Sequence, residues 1–161
     1  AEWPSLWFFS LINLLFPYSS SLHYSLIPFL LSSIYPKKSP MPTAIPIFRI
    51  FDYELALKHY CDWLGFKIDW EYKPENSPKY LQISFRGIVL HLTEHYGDCT
   101  PGSRVHVEGF EDIEAYQQQL IAQNNPHSRP GLQRAFYDEN IWVLNTGDPF
   151  GNRLTITGPS K

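Results

Sequence analysis

Two histidines, each close to a glutamate, are the residues in this chain best suited to bind a metal ion. Glu94 follows His91 by three positions, and Glu108 follows His106 by two. Imidazole and carboxylate groups are common zinc ligands, and a catalytic zinc site takes about three of them from the protein. A site made from His91, His106 and one of the glutamates is therefore one hypothesis. The alternative is that both histidines are polar groups lining a solvated surface.

Other catalytic motifs are absent from the sequence. It contains no S-x-x-K, no G-x-S-x-G and no phosphate-binding loop, so nucleophilic and nucleotide chemistry have no support. The two cysteines, Cys61 and Cys99, form no C-x-x-C pair, which argues against a zinc finger or a redox motif. Two unlinked thiols fit a reducing compartment, so we expect a cytoplasmic location.

Composition and charge indicate a folded domain that does not bind nucleic acid. Apolar residues make up 43% of the 161 residues and charged residues 18%, which is enough for a hydrophobic core. The formal net charge of the whole sequence is −3. Residues 1–40 contribute +1, so residues 41–161 have a net charge of −4. An acidic domain is poorly suited to phosphate backbones, although it favours a cationic ligand weakly.

Residues 1–40 differ from the rest of the chain and are expected to lie outside the native domain. No charged residue occurs between Glu2 and Lys37, but Pro17 and Pro28 interrupt the apolar stretch before it reaches the ~20 residues of a membrane span. Met41 is the only methionine and directly precedes the first predicted strand, so we expect translation to start there. The alternatives are that residues 1–40 form a membrane tether or a targeting peptide.

From Ala44 onward the same order of elements occurs twice: a strand, a helix and three strands. The modules span about 44–95 and 103–158. In the first helix, Ala56, Tyr60, Trp63 and Leu64 recur at helical spacing, and Asp52 can cap its start. One such module of about fifty residues buries too little apolar surface to be stable alone, so the two are expected to pack together. The predicted fold is α+β, with two βαβββ modules forming a curved mixed sheet around a concave groove.

The bounds of the strands follow from period-two alternation and turn residues. The predicted strands are Ile45–Ile50, Phe66–Tyr72, Tyr80–Phe85, Ile88–Glu94, Arg104–Glu108, Leu132–Tyr137, Ile141–Asn145 and Arg153–Thr157. The second predicted helix starts at Glu111 and has an apolar stripe of Ile113, Tyr116 and Leu120.

Three segments carry a resemblance to a known family. They are A-I-P-I-F-R-I-F-D-Y-E-L-A-L-K-H-Y-C-D-W-L-G-F (Ala44–Phe66), V-H-V-E-G-F-E-D-I-E-A-Y (Val105–Tyr116) and D-P-F-G-N-R-L-T-I (Asp148–Ile156). In this order and spacing the chain resembles the glyoxalase, bleomycin-resistance and ring-cleaving dioxygenase superfamily. The D-P-F-G-N segment also has the residues of a tight turn, with Pro149 and Gly151, and we expect it to be structural.

The resemblance implies four metal-ligand positions, which are usually His and Glu in the enzymes of the family. In this chain they correspond to Ile45, His91, Arg104 and Thr155. Ile45 has no donor atom, Arg104 is a permanent cation, and a hydroxyl is a weak ligand. The sequence therefore predicts no metal and no cofactor at this site.

Strand alternation predicts which side chains line the groove instead. The predicted helix-facing residues are Ile88, Leu90, Leu92, Val105, Val107, Leu154 and Ile156. The opposite face then carries polar residues, including Thr157, with Gln82 adding hydrogen-bonding surface. The predicted ligand-binding residues are Tyr80, His91, Arg104, His106, Glu108, Trp142, Arg153 and Thr155.

Since the metal positions are lost, the resemblance is strongest to the bleomycin-resistance branch. That branch implies a homodimer that sequesters a cationic glycopeptide antibiotic without changing it, through aromatic stacking and acidic residues such as Glu108. Two alternatives stay open. One is a metal-dependent lyase or dioxygenase with an atypical site, and the other is a subunit whose groove binds another protein.

Overall fold

The two predicted modules are confirmed. The computed structural model describes residues 42–126 and 128–160, so the expectations for residues 1–40 lie outside the described residues. The first module comprises β1 (Ile47–Arg49), α1 (Tyr53–Leu57), a π-helix (Lys58–Trp63), β2 (Lys67–Tyr72), β3 (Tyr80–Phe85) and β4 (Ile88–Thr93). The second comprises β5 (Arg104–Val107), α2 (Ile113–Ala122), β6 (Gly131–Arg134), β7 (Ile141–Gly147) and β8 (Arg153–Pro159).

Each module forms one four-stranded mixed sheet with the same topology. The strand orders are β1-β4-β3-β2 and β5-β8-β7-β6. In both, the first strand pairs in parallel with the last and the other pairs are antiparallel. None of the described helices is long and apolar enough to span a bilayer.

The first helix forms as the sequence predicts at both of its ends. The Asp52 carboxylate accepts the backbone N–H of Leu55 at 2.8 Å and so caps the helix. Gly65, at φ +84°, follows the last turn in a conformation that glycine adopts at low cost. The predicted apolar face is buried, but α1 continues as a π-helix, which no residue pattern indicated.

The sixth strand is shorter than predicted. It ends at Arg134 rather than Tyr137. The chain turns because the Asp138 carboxylate accepts the backbone N–H of Asn140, which closes the connection to β7. Phe136 consequently lies almost fully exposed at this turn, 99% of its surface being accessible.

The core includes the helix-facing strand residues that alternation predicts. Ile88, Leu90 and Leu92 of β4 are buried, as are Leu154 and Ile156 of β8, and the two valines of β5 pack against the same cluster. Burial of these side chains fixes which face of each strand is left for polar residues, because neighbouring side chains alternate.

Two side-chain hydrogen bonds connect the helical regions of the two modules. The Trp63 indole donates to the Leu120 carbonyl at 3.0 Å, and the Tyr116 hydroxyl donates to the Leu64 carbonyl at 2.8 Å, so the two helices are linked directly. These groups are buried, and loss of a partner there leaves an unsatisfied polar group.

The D-P-F-G-N turn makes a second set of links between the modules. The Tyr60 hydroxyl donates to Asp148 at 2.8 Å, and the Asn152 amide donates both to Asp148 and to the Arg49 carbonyl. The backbone N–H groups of Phe150 and Asn152 also donate to Asp148. The expectation that this turn is structural agrees with these contacts, since one carboxylate organises the turn and connects it to the first module.

Gly158 of β8 should tolerate no side chain. A Cβ atom at this position would lie 1.9 Å from the carbonyl oxygen of Phe110, whose N–H is bonded to Thr157. We expect Gly158→Ala to lower the free energy of unfolding by about 3 kcal/mol or more, measured by urea denaturation. Gly131→Ala in β6 is the control, because an added Cβ there would meet no described atom within 4 Å apart from its chain neighbours, and it should change stability by less than about 1 kcal/mol. Equal effects would contradict this packing.

Asp148 should make stability fall as pH rises through the acidic range. Burial raises its pKa above the ordinary 3.8, although the hydrogen bonds from Asn152 and Tyr60 oppose this. The folded protein therefore holds the proton more tightly than the unfolded chain, and the free energy of unfolding decreases from about pH 3.8 up to the raised pKa. Asp148→Asn should remove this decrease in urea titrations at several pH values. Parallel pH profiles for the two proteins would contradict it.

Candidate functional site

Four side chains on one face of the first sheet form the candidate site. Gln82 and His91 are direct cross-strand partners on β3 and β4, and Trp70 of β2 pairs with Gln82 on its other side. Tyr80 lies two residues from Gln82 and therefore shares its face. We call Trp70, Tyr80, Gln82 and His91 the aromatic face.

A strand irregularity brings a fifth residue to the aromatic face. The β2–β3 register shifts between Ile68 and Trp70, so the strict alternation of side chains is interrupted there. Asp69 can therefore bond Gln82 and Ser84 on the same side as Trp70. Consecutive residues of β2 thus contribute a carboxylate and an indole to one surface.

The rings of the aromatic face form an open stack. Trp70 and Tyr80 are parallel within 5°, with their centroids 5.9 Å apart. The His91 ring meets both edge-on, with centroids at 5.3 Å. Trp70 is 45% exposed, so part of the stack is available to a further ring.

Both ring nitrogens of His91 have hydrogen-bond partners. The Tyr80 hydroxyl lies 2.8 Å from Nδ1, and the Gln82 amide oxygen lies 3.0 Å from Nε2. Burial lowers the pKa of the His91 imidazole, which favours its neutral form. A metal ion could reach either nitrogen only by displacing one of these bonds.

The end of the aromatic face next to β4 is rich in acceptors and holds a thiol. The Thr93 hydroxyl donates to Asp98 at 2.6 Å. Burial, and then the charge of Asp98, raise the pKa of the Cys99 thiol above its usual value. A thiol whose pKa is raised is not an activated nucleophile, so Cys99 gives no support to covalent catalysis.

The second sheet carries most of the other predicted binding residues, in a separate group. Arg104 lies opposite Arg153, and His106 lies opposite Thr155 on β8. His106 is 3.7 Å from the Glu108 carboxylate. With the described residues, neither guanidinium makes a side-chain hydrogen bond or ion pair, so both can contact a partner or ligand.

Thr155 and Thr157 are not open to the groove as predicted, because both are buried. The Thr155 hydroxyl donates to the Asn145 side chain at 2.8 Å, and that of Thr157 to the Val107 carbonyl at 3.1 Å. Both hydroxyls are therefore engaged in hydrogen bonds within the second sheet.

An open groove of about 640 Å³ lies between the β1 and β5 sides of the two modules. Its lining is mostly aliphatic, with Ile45, Val89 and Val105, and it includes His106 and Glu108. Tyr80 and His91 do not line it. Of the predicted binding residues, His106 and Glu108 line this groove and Tyr80 and His91 lie on the aromatic face. The other four belong to neither set, namely Arg104, Trp142, Arg153 and Thr155.

Trp142 was predicted in the groove, and this prediction is wrong. Its indole donates to Glu114 of α2 at 2.6 Å, and the Arg134 guanidinium lies 3.5 Å from the ring centroid. Trp142 faces the helix because it lies two residues from the fully buried Leu144. That spacing was visible in the sequence.

The donors do not fit a metal centre. Of the four family positions, Ile45 has no donor, Arg104 repels cations, Thr155 is bonded to Asn145, and both nitrogens of His91 are engaged. His91 and His106 belong to different hydrogen-bond sets, so the alternative site built from both is not assembled. Among residues 42–126 and 128–160, no three His, Cys, Asp or Glu side chains are placed to share an ion.

Two residues of the site were missed by the sequence analysis. Trp70 was visible only as an apolar residue of an alternating strand, and all of β2 is exposed. Asp69 had no signal, because its place on the aromatic face depends on the register shift in β2.

Comparisons with known proteins agree with this architecture. A family model described as glyoxalase superfamily protein matches residues 39–159. A sequence search of the curated proteins gives no match.

Solved structures with the same fold include the following three proteins. A bleomycin-binding protein complexed with bleomycin is 14% identical, covering 74% of this chain and 99% of that one, with a TM-score of 0.56. TnmS3, an antibiotic-binding protein from Streptomyces sp. CB03234, is 19% identical over 75% and 99%, with a TM-score of 0.55. TioX from Micromonospora sp. ML1 is 13% identical over 74% and 98%, with a TM-score of 0.57. At these identities the likeness shows the fold alone. The family match over residues 39–159 shows that this chain belongs to the glyoxalase superfamily.

Proposed function

We propose that this protein binds a flat aromatic ligand of the bleomycin type on the aromatic face and sequesters it without chemical change. The observation that carries the proposal is the parallel pair of Trp70 and Tyr80, which leaves part of the indole uncovered. An additional planar ring gains both stacking and burial of apolar surface on such a platform.

The charges around the aromatic face support a cationic ligand. Asp69 and Asp98 lie at its two ends, and residues 41–161 carry a net charge of −4. One protein of the same fold is complexed with bleomycin, and another, TnmS3, is described as an antibiotic-binding protein, which makes such a ligand chemically reasonable for this chain. In this proposal resistance follows from binding alone, in the cytoplasm.

A homodimer is part of the proposal. Three large apolar side chains of the edge strand β2, namely Ile68, Trp70 and Tyr72, are exposed in the single chain. A second copy placed beside them would cover some of this surface and deepen the shallow aromatic face into a cleft. The Arg104 and Arg153 guanidinium groups would then find carbonyl or acidic partners on the ligand or the second copy.

Replacement of Trp70 should weaken ligand binding specifically. We expect metal-free bleomycin to bind the wild-type protein saturably at micromolar concentration in isothermal titration calorimetry. Trp70→Ala should weaken binding about tenfold or more, because stacking and apolar burial are both lost, whereas Trp70→Phe should retain most of it. Phe136→Ala is the control, since Phe136 is an exposed aromatic residue at the turn after β6. Absence of saturable binding, or equal losses in Trp70→Ala and Phe136→Ala, would overturn the proposal.

Removal of metal ions should leave binding unchanged. The protein is treated with EDTA, dialysed and titrated with metal-free bleomycin, and we expect the affinity of untreated protein. Elemental analysis of the untreated protein should find no stoichiometric transition metal. A bound ion that disappears in His91→Ala, together with loss of binding after EDTA, would favour the metal-dependent lyase or dioxygenase instead.

A further inference from the structure

We propose that Asp69 fixes the direction of a hydrogen-bond chain through Gln82 and His91 to Tyr80, and thereby makes the aromatic face select ligands that donate a hydrogen bond to Tyr80. The inference rests on the proposed function, since it names the polarity that a ligand of that site must have. It assigns a specificity-determining role to Asp69, an exposed residue that makes no ring contact of its own.

The hydrogen-bond chain starts at the Asp69 carboxylate, which only accepts hydrogen bonds. Asp69 Oδ1 accepts the Ser84 hydroxyl at 2.7 Å, and Oδ2 accepts the Gln82 amide nitrogen at 2.8 Å. These bonds lower the pKa of the Asp69 carboxyl, so it is ionised at neutral pH and has no hydrogen to donate. The NH₂ group of Gln82 must therefore face Asp69, and its carbonyl oxygen must face His91.

The direction continues through the imidazole ring. Since Gln82 Oε1 can only accept, His91 Nε2 carries the hydrogen of the 3.0 Å bond between them. Burial lowers the pKa of His91, so the ring is neutral at neutral pH and Nδ1 has a free lone pair. The Tyr80 hydroxyl therefore donates to Nδ1 across the 2.8 Å contact.

Tyr80 consequently offers lone pairs to a ligand. Its one hydroxyl hydrogen points at His91. Burial raises the pKa of Tyr80, and the nearby negative charge of the Asp98 carboxylate raises it further. This end of the aromatic face is therefore rich in acceptors. A ligand N–H or O–H can bond there, whereas a ligand oxygen without hydrogen would face another lone pair.

Reversal of the charge at position 69 tests the direction of the hydrogen-bond chain. In Asp69→Lys the ammonium can only donate, so it should attract the Gln82 oxygen, turn the amide around and move the His91 hydrogen to Nδ1. Asp69→Asn is the matched control, because its amide oxygen can still accept from Gln82. Long-range ¹H–¹⁵N spectra of the ligand-free proteins should find the Nε2–H tautomer in wild type and Asp69→Asn, and the Nδ1–H tautomer in Asp69→Lys. An Nδ1–H tautomer in the wild-type protein, or an Nε2–H tautomer in Asp69→Lys, would contradict the proposed direction of the hydrogen-bond chain.

Two neutral planar probes test the selectivity. 2-Naphthol has a hydroxyl donor and 2-acetonaphthone has only an acceptor, and the quenching of tryptophan fluorescence reports the affinity of each. The ratio of naphthol to acetonaphthone affinity should fall about fivefold or more in Asp69→Lys relative to wild type and Asp69→Asn. Binding of both probes with an unchanged ratio overturns the selectivity and leaves the proposed function standing. Failure of both probes to bind any of the proteins contradicts the selectivity and the proposed function alike.

Discussion

The site depends on the register of β4, a strand with one apolar face that is buried and one face that carries the polar His91. Leu90 and Leu92 are fully buried, and this burial determines the face on which the residue between them, His91, must lie. A slip of one residue would place the imidazole in the core and both leucines in solvent, which the hydrophobic free energy of two leucines forbids. Apolar packing on one side of the sheet thus sets the position of the polar chemistry on the other.

Hydrogen bonding then decides what that chemistry can be. His91 lies at one of the four positions where the family resemblance implies a metal ligand, but Tyr80 and Gln82 engage both of its ring nitrogens. The same bonds hold the three side chains in one arrangement beside the Trp70 indole. A surface whose polar groups are satisfied and whose aromatic ring is uncovered is suited to binding a preformed planar molecule rather than to activating one.

Sequence reasoning recovered the fold because each module repeats strong local signals. Alternation in β4 and β8, the Asp52 cap and the helical spacing of Ala56, Tyr60 and Trp63 all depend on near neighbours in the chain. The site was recovered only in part. Tyr80 and His91 followed from alternation, but Asp69 reaches the aromatic face through a register shift that depends on pairing with β3, and Trp142 was placed on the wrong face although its spacing from Leu144 indicated the core.

The predicted binding residues on the second sheet were harder to place correctly than those on the first sheet. Thr155 and Thr157 have the right parity for the open face, yet their short side chains are covered and bonded within the sheet. Parity gives the direction of a side chain, but it does not show whether that side chain is buried and bonded within the sheet.

A crystal structure of the protein with a bleomycin-type ligand tests the central claim most directly. The account predicts ligand density with a planar ring parallel to the Trp70 indole, His91 still bonded to Tyr80 and Gln82, and no metal ion at His91. A transition metal coordinated by the His91 imidazole, or a ligand bound away from Trp70, would contradict it.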